Sequence, residues 1–147
     1  MNVNLFTYGV LMYEELLTQL VGNKLTCAKA VLPNHQRRVL EKKGWPQIPV
    51  VVSEEGSIVS GLIAMNVDPS SLSILDDFED TKLGLYKRLS KVAVLDSGEE
   101  IGVEVYVGGE AAEGFLTNIW YPETFVAKNF EQYKNDIIPK FKTARKK

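Results

Sequence analysis

VVVSEEGSIVSGLIAMNV, residues 50–67, sets two β-branched apolar runs on either side of a polar Ser-Glu-Glu-Gly-Ser centre. Such a pattern predicts a hairpin turning at Glu55 and Gly56, with Gly61 marking a bend or a close backbone approach in the second strand. Working outward, Asp68 is a candidate N-cap before Pro69 at the first helical position, so a helix is expected from there to about Glu79. Beyond it, YKRLSKVAVLD (86–96) and EEIGVEVYVGG (99–109) predict another hairpin joined through DSGE. Upstream, LTCAKAVL (25–32) and RRVLEKK (37–43) predict two strands separated at Pro33 and Asn34, and the two prolines of GWPQIP (44–49) predict a loop. VNLFTYGV opens the chain as a strand stopped by Gly9, followed by a helix with Leu16, Leu17 and Leu20 on one face. PETFVAKNFEQYKNDI (122–137) closes as an amphipathic helix carrying Phe125, Phe130 and Tyr133. Antiparallel strands with helices after the first strand, between the hairpins and at the end give an α+β fold. The expected architecture is a small, mostly antiparallel β-barrel, closed or nearly closed, with flanking helices.

The chain has 147 residues and is 45% hydrophobic, enough for one core, so residues 1–147 are read as a single domain. A basic tail from about residue 140, KFKTARKK, reads as a solvated end. Seventeen basic against nineteen acidic residues give a net charge of −2, which supplies no field for drawing in nucleic acid or an anionic membrane. Arg37, Arg38, Lys42 and Lys43 form a basic cluster, yet strand alternation divides Arg37 from Arg38, and a solvated strand face is expected. No apolar run reaches the length of a membrane span and the N-terminus lacks a signal pattern, so a cytoplasmic protein is expected. With one cysteine, Cys27, and one histidine, His35, neither a disulfide framework nor a zinc site of Cys and His ligands is available within one chain. His35 reads as a partly exposed residue at a strand start, and Cys27 as small core filling.

The segment ILDDFEDTKLGLYKR, residues 74–88, crowds acids at the end of the central helix. At about 100° per residue, Glu79 points between Leu72 and Leu75 on the inward stripe, Asp77 points nearly opposite, and Asp76 and Asp80 flank the stripe. Two readings of Glu79 stay open: a partly buried acid held by Arg88 or a backbone donor, or a working carboxylate.

LFTYGVLM (5–12), then LDDFED (75–80) and YKR (86–88), resemble the gamma-glutamylcyclotransferase-like superfamily, particularly its branch similar to plant AIG2 proteins and gamma-glutamylamine cyclotransferases. That family opens with a strand and a Tyr-Gly-Ser/Thr-Leu/Asn turn, which Tyr8, Gly9, Val10 and Leu11 match here. It has a proline-containing loop before a V.G pattern, matched by GWPQIP before Gly61, and a catalytic glutamate in a segment like LD.FEG, matched by Glu79. Its following tyrosine corresponds to Tyr86, with Arg88 completing Y.R. Val10 departs from the usual hydroxyl residue, and Asp80 from the usual glycine.

The resemblance implies a cofactor-free enzyme in which the substrate's own alpha-amine attacks its gamma-carbonyl, releasing 5-oxoproline and an amine from a small gamma-glutamyl amine or peptide. Glu79 is then the proton carrier. Backbone N–H groups of Gly9 to Leu11 take the carboxylate or oxyanion, and Tyr8 and Tyr86 line the pocket, with Trp45, Pro46 and Tyr106 as weaker lining candidates. No metal is implied, and the oligomeric state is left open. The alternative is a non-catalytic member of the same fold that binds a small ligand in the same pocket.

Overall fold

The computed structural model describes residues 2–41, 48–79, 81, 84–112, 114–123, 125 and 129–146. Its strands are β1 (Val3–Thr7), β2 (Cys27–Leu40), β3 (Ile48–Val67), β4 (Tyr86–Leu95), β5 (Glu100–Gly108) and β6 (Leu116–Ile119). Helix α1 is Glu14–Val21 and α2 is Pro69–Phe78. Helix α3 joins an α turn (Phe130–Gln132), a π turn (Tyr133–Ile137) and an α segment (Ile138–Lys146). Among the described residues no helix is long and apolar enough to cross a membrane.

Five strands close a ring. β1 pairs antiparallel with β3, β3 with β2, β2 with β4 and β4 with β5, and a parallel pairing of β5 with β1 (Leu5↔Glu104, Phe6↔Val105) completes it. β6 adds to β2 outside the ring. The expected α+β barrel, mostly antiparallel and closed, is therefore the fold, and closure removes the free edges of an open sheet.

The hairpin expected at Glu55 and Gly56 does not form, because both halves of residues 50–67 pair with the same strand in the same direction. β2 runs against β3 from Leu40↔Ile48 to His35↔Ser53, and again from Pro33↔Ile58 to Cys27↔Ala64. Between the two stretches, Glu54 to Ser57 face Asn34 alone. This is a large bulge, with Gly56 at φ +85° and Asn34 at φ +59°, and the Gly56 N–H donates to Asn34 Oδ1 at 3.0 Å. The two strands expected on either side of Pro33 are likewise one strand, since a bulge tolerates the proline's missing N–H. Residues 44–47 of the expected loop lie outside the described residues, while Ile48 and Pro49 already belong to β3.

Alternation along these strands builds two cores. Phe6, Leu32, Val51, Val59, Ile63 and Val105 fill the barrel, while Leu5, Leu16, Leu40, Val50, Leu75 and Phe125 pack between barrel and helices. Successive residues such as Leu5 and Phe6 are thus buried on opposite faces of one strand. Cys27 is half-buried against the outer core.

The start of α2 is as expected: the Asp68 side chain accepts the Ser71 N–H at 2.7 Å, and this bond lowers the carboxyl's pKa. The helix ends at Phe78, with Glu79 as its C-cap. α3 continues past Ile137 through the basic tail, which docks instead of hanging free. Phe141 packs edge-on to Phe78 at 5.2 Å, Lys142 Nζ donates to Gln19 O at 2.6 Å, and Arg145 pairs with Asp77 at 2.9 Å.

Candidate active site

The turn that follows β1 is shaped by two contacts. A Cβ on Gly9 would lie 2.3 Å from Pro49 Cγ, so only glycine allows β3 to approach this closely. On the other side of the turn, Arg37 Nη1 donates to Tyr8 O at 3.1 Å and to Ser60 O at 3.3 Å, and its guanidinium lies 5.5 Å from the centre of the Trp120 ring. Arg37 is thus half-buried, where a solvated strand face was expected, because β2 carries it behind the turn. In a trans peptide the C=O and the next N–H point opposite ways, so the grip on Tyr8 O turns the Gly9 N–H away from Arg37. The N–H groups of Val10 and Leu11 open a 3-10 turn (Val10–Met12), where the first donors have no partner within the turn itself.

Glu79, half-buried at the end of α2, looks onto the same space. A cavity of about 320 Å³ is lined by Tyr8, Gly9, Val10, Leu11, Glu79 and Tyr86. All the site residues expected from sequence therefore line one cavity, although they come from β1 and its turn, the end of α2 and the start of β4. Tyr106, a weaker candidate, lines it too, while Trp45 and Pro46, and with them Asp80, fall outside the described residues. Tyr133 and Ile137 join the wall from the π turn of α3, with Phe78, Leu85 and Ile48 as apolar neighbours. Glu79 is the only acid among the described lining residues.

Tyr8, Tyr86, Tyr106 and Tyr133 enclose that acid. Burial raises the pKa of each, most strongly of all its causes, and the negative charge of Glu79 raises each further. They stay protonated phenols through the neutral range. Three of their protons are already engaged: Tyr8 OH donates to Tyr106 O, Tyr86 OH to Pro49 O at 2.5 Å, and Tyr106 OH to Asp76 Oδ1 at 2.7 Å. What these phenols offer a ligand is oxygen lone pairs, which suit N–H donors such as an ammonium.

The neighbouring acids are bound elsewhere. Arg88 holds Asp76 through Nε (2.9 Å) and Nη2 (3.1 Å) and Glu104 through Nη1 (2.8 Å), so Arg88 serves those two carboxylates and not Glu79. Asp77 pairs with Arg145 on the outer side. Sequence reading missed the Asp76–Arg88–Glu104–Tyr106 network. Its signal was the register of the β4–β5 hairpin, which sets Arg88 directly opposite Tyr106 and Ser90 opposite Glu104 on one face. Among the described residues, no three His, Cys, Asp or Glu side chains gather as metal ligands would.

The profile of the family described as "Gamma-glutamyl cyclotransferase, AIG2-like" matches residues 5–121. AIG2-like protein D of Arabidopsis thaliana is 27% identical over 133 residues, covering 89% of this chain and 78% of its own. Among solved structures, a protein of Arabidopsis thaliana determined in solution superposes with a TM-score of 0.68 at 23% identity, over 98% of this chain and 91% of that one. A gamma-glutamyl cyclotransferase superposes with a TM-score of 0.66 at 17% identity, over 97% and 87%. At these identities the structural likeness is one of fold.

Proposed function

The chain belongs to the gamma-glutamyl cyclotransferase, AIG2-like family, and from that premise we propose that it releases 5-oxoproline and an amine from a small gamma-glutamyl amine or peptide. The observation that carries this reading is the meeting of Glu79 with the Gly9 to Leu11 backbone across one cavity walled by phenols.

In this scheme the phenol oxygens receive the substrate's alpha-ammonium, and Glu79 takes its first proton. The freed amine attacks the gamma-carbonyl carbon four bonds away along its own chain, closing a five-membered ring with a new C–N bond and a tetrahedral oxyanion. Backbone N–H groups of the Gly9–Leu11 turn stabilise that oxygen. Glu79 then passes protons to the leaving nitrogen as the old amide C–N bond breaks. Two protons leave the attacking nitrogen in all and both end on the departing amine, so no water is consumed. Holding the chain curled supplies much of the acceleration, because the reacting groups already belong to one molecule. Ile48, Phe78, Leu85 and Ile137 give the cavity an apolar wall on which the carbon skeleton of the departing amine rests.

Val10, buried at the turn where the family usually has a hydroxyl, favours a second reading: a member that binds the same ligands without turnover. Incubating the purified protein with a panel of gamma-glutamyl amines and peptides, and measuring 5-oxoproline, separates the two. Release of 5-oxoproline supports the enzyme, saturable binding without release supports the second reading, and hydrolysis to free glutamate overturns the proposed chemistry.

A further inference from the structure

Beyond the pairs Ala30↔Leu95 and Val31↔Val94, β2 and β4 part company, and the barrel wall has a seam. β4 continues along β5 with Lys87↔Val107, Leu89↔Val105 and Lys91↔Val103, whose valines belong to the barrel core. Residues directly opposite in a ladder project to the same face, so Lys87 and Lys91 rise from the barrel's inner face at the edge of the seam. Across it, His35 pairs with Ser53 and shares that residue's face. A cavity of about 330 Å³ lies between them, lined by His35, Ser53, Lys87, Leu89 and Lys91, and it shares no lining residue with the Glu79 cavity.

His35, expected to be partly exposed, is only 8% exposed. Its Nδ1 is 2.7 Å from Pro33 O, and since a carbonyl only accepts, Nδ1 carries the hydrogen. In the neutral ring Nε2 is then a bare acceptor, and it is buried with no partner among the described residues. An orphaned buried acceptor is a standing cost to the fold that a donor would relieve. Neither Lys87 nor Lys91 makes an ion pair with a described residue. Among the described residues, the acids nearest in sequence to this lining, Glu54, Glu55 and Glu110, are exposed and do not line the cavity.

We propose that this seam cavity is a second ligand site, for a small oxyanion that carries its own O–H or N–H donor. The two ammonium groups call for negative oxygens, whereas His35 Nε2 calls for a hydrogen. A bare sulfate or carboxylate meets the first demand and leaves the second open. Hydrogen phosphate meets both, with one P–OH for Nε2 and charged oxygens for Lys87 and Lys91.

Because His35 is the single histidine of the chain, its ring nitrogens can be followed by NMR without ambiguity. The experiment titrates inorganic phosphate and, separately, sulfate at constant ionic strength, at a pH where both are dianions and the ring's ¹⁵N shifts show it neutral. The expected result is a saturable shift centred on Nε2, with phosphate bound about tenfold more tightly than sulfate, the worth of one charge-assisted hydrogen bond. Lys87→Met/Lys91→Met should abolish saturation while leaving the unliganded His35 shifts unchanged, which checks the fold. Equal affinity for sulfate, a shift that never saturates, or parental phosphate affinity in the double lysine variant would each overturn the site.

Discussion

Two regions meet at the end of α2 and treat carboxylates in opposite ways. On one side Asp76 is fastened by Arg88 and Tyr106, and Arg88 is shared with Glu104, so the acid serves as a structural tie. Three residues on, Glu79 looks into a cavity lined largely by phenols and hydrocarbon, with the Gly9–Leu11 turn among its lining residues. Both acids are half-buried. What separates them is what each faces: a guanidinium fixes the charge of Asp76, whereas Glu79 faces a cavity lined by phenols, three of which already donate their protons elsewhere. The position of an acid on a helix end is therefore less informative than what the neighbouring strands bring to it.

The comparison is tested hardest by Glu79→Gln, which keeps shape and removes the proton carrier. Turnover of a confirmed gamma-glutamyl substrate should fall about 10²- to 10⁴-fold with the melting temperature little changed. A folded variant with near-parental 5-oxoproline release would end the distinction between the two regions.

Next in size is the response to alkali. Buried Tyr8, Tyr86, Tyr106 and Tyr133 have pKa values raised above those of the unfolded chain, so the folded state keeps protons that the unfolded state loses. Their contribution is fully present below the unfolded value of about 10 and is lost as pH rises above it, at up to about 1.4 kcal/mol per pH unit for each group. Denaturant titrations between pH 8 and 11.5, at about half-unit steps, should show stability falling steeply at the upper end. Phenolate absorbance from these four should appear only with unfolding, and early ionisation of all four would contradict the closed phenol wall.

Asp76→Asn should matter less to chemistry and more to folding. It leaves Arg88 with one carboxylate and should cost about 1–3 kcal/mol in urea unfolding, with turnover reduced far less than by Glu79→Gln. Full loss of turnover in a folded Asp76→Asn protein would make Asp76, not Glu79, the chemical group. The smallest effect is expected for Asp77→Asn, whose exposed-side pairing with Arg145 should be worth no more than about 0.5 kcal/mol, with activity unchanged.

Helical phase made the inward position of Glu79 legible in the sequence, and Gly61 announced a close backbone approach, because both depend on local spacing alone. The hairpin at Gly56 was misread for a physical reason: Glu-Gly chemistry serves a bulge as well as a reversal, and only the strand across the way, with Asn34 in a left-handed conformation, decides between them. Arg37 and His35 were misplaced for the same reason. Whether a strand residue faces water depends on what the barrel brings behind it, the Tyr8–Gly9 turn for one and the β4 seam for the other. The tail KFKTARKK looked solvated because its charges outnumber its apolar residues, and most of its described residues are exposed, yet Phe141, Lys142 and Arg145 tie it to Phe78, Gln19 and Asp77.

The bulge at residues 54–57 also sets where the chain can change length. One end of β3 carries Pro49 against Gly9, and further along Gly61 lies so close to Thr7 that a Cβ would be 2.1 Å from its carbonyl oxygen. Adding a residue within either paired stretch would flip every following side chain to the wrong face and pull one of these contacts out of place. The same residue added between Glu54 and Ser57 meets no ladder partner beyond Asn34 and is absorbed where it enters. The longest strand of the barrel thus contains its own slack, and a glycine inserted after Glu55 should leave the melting temperature nearly unchanged, while one inserted after Val51 should unfold the protein.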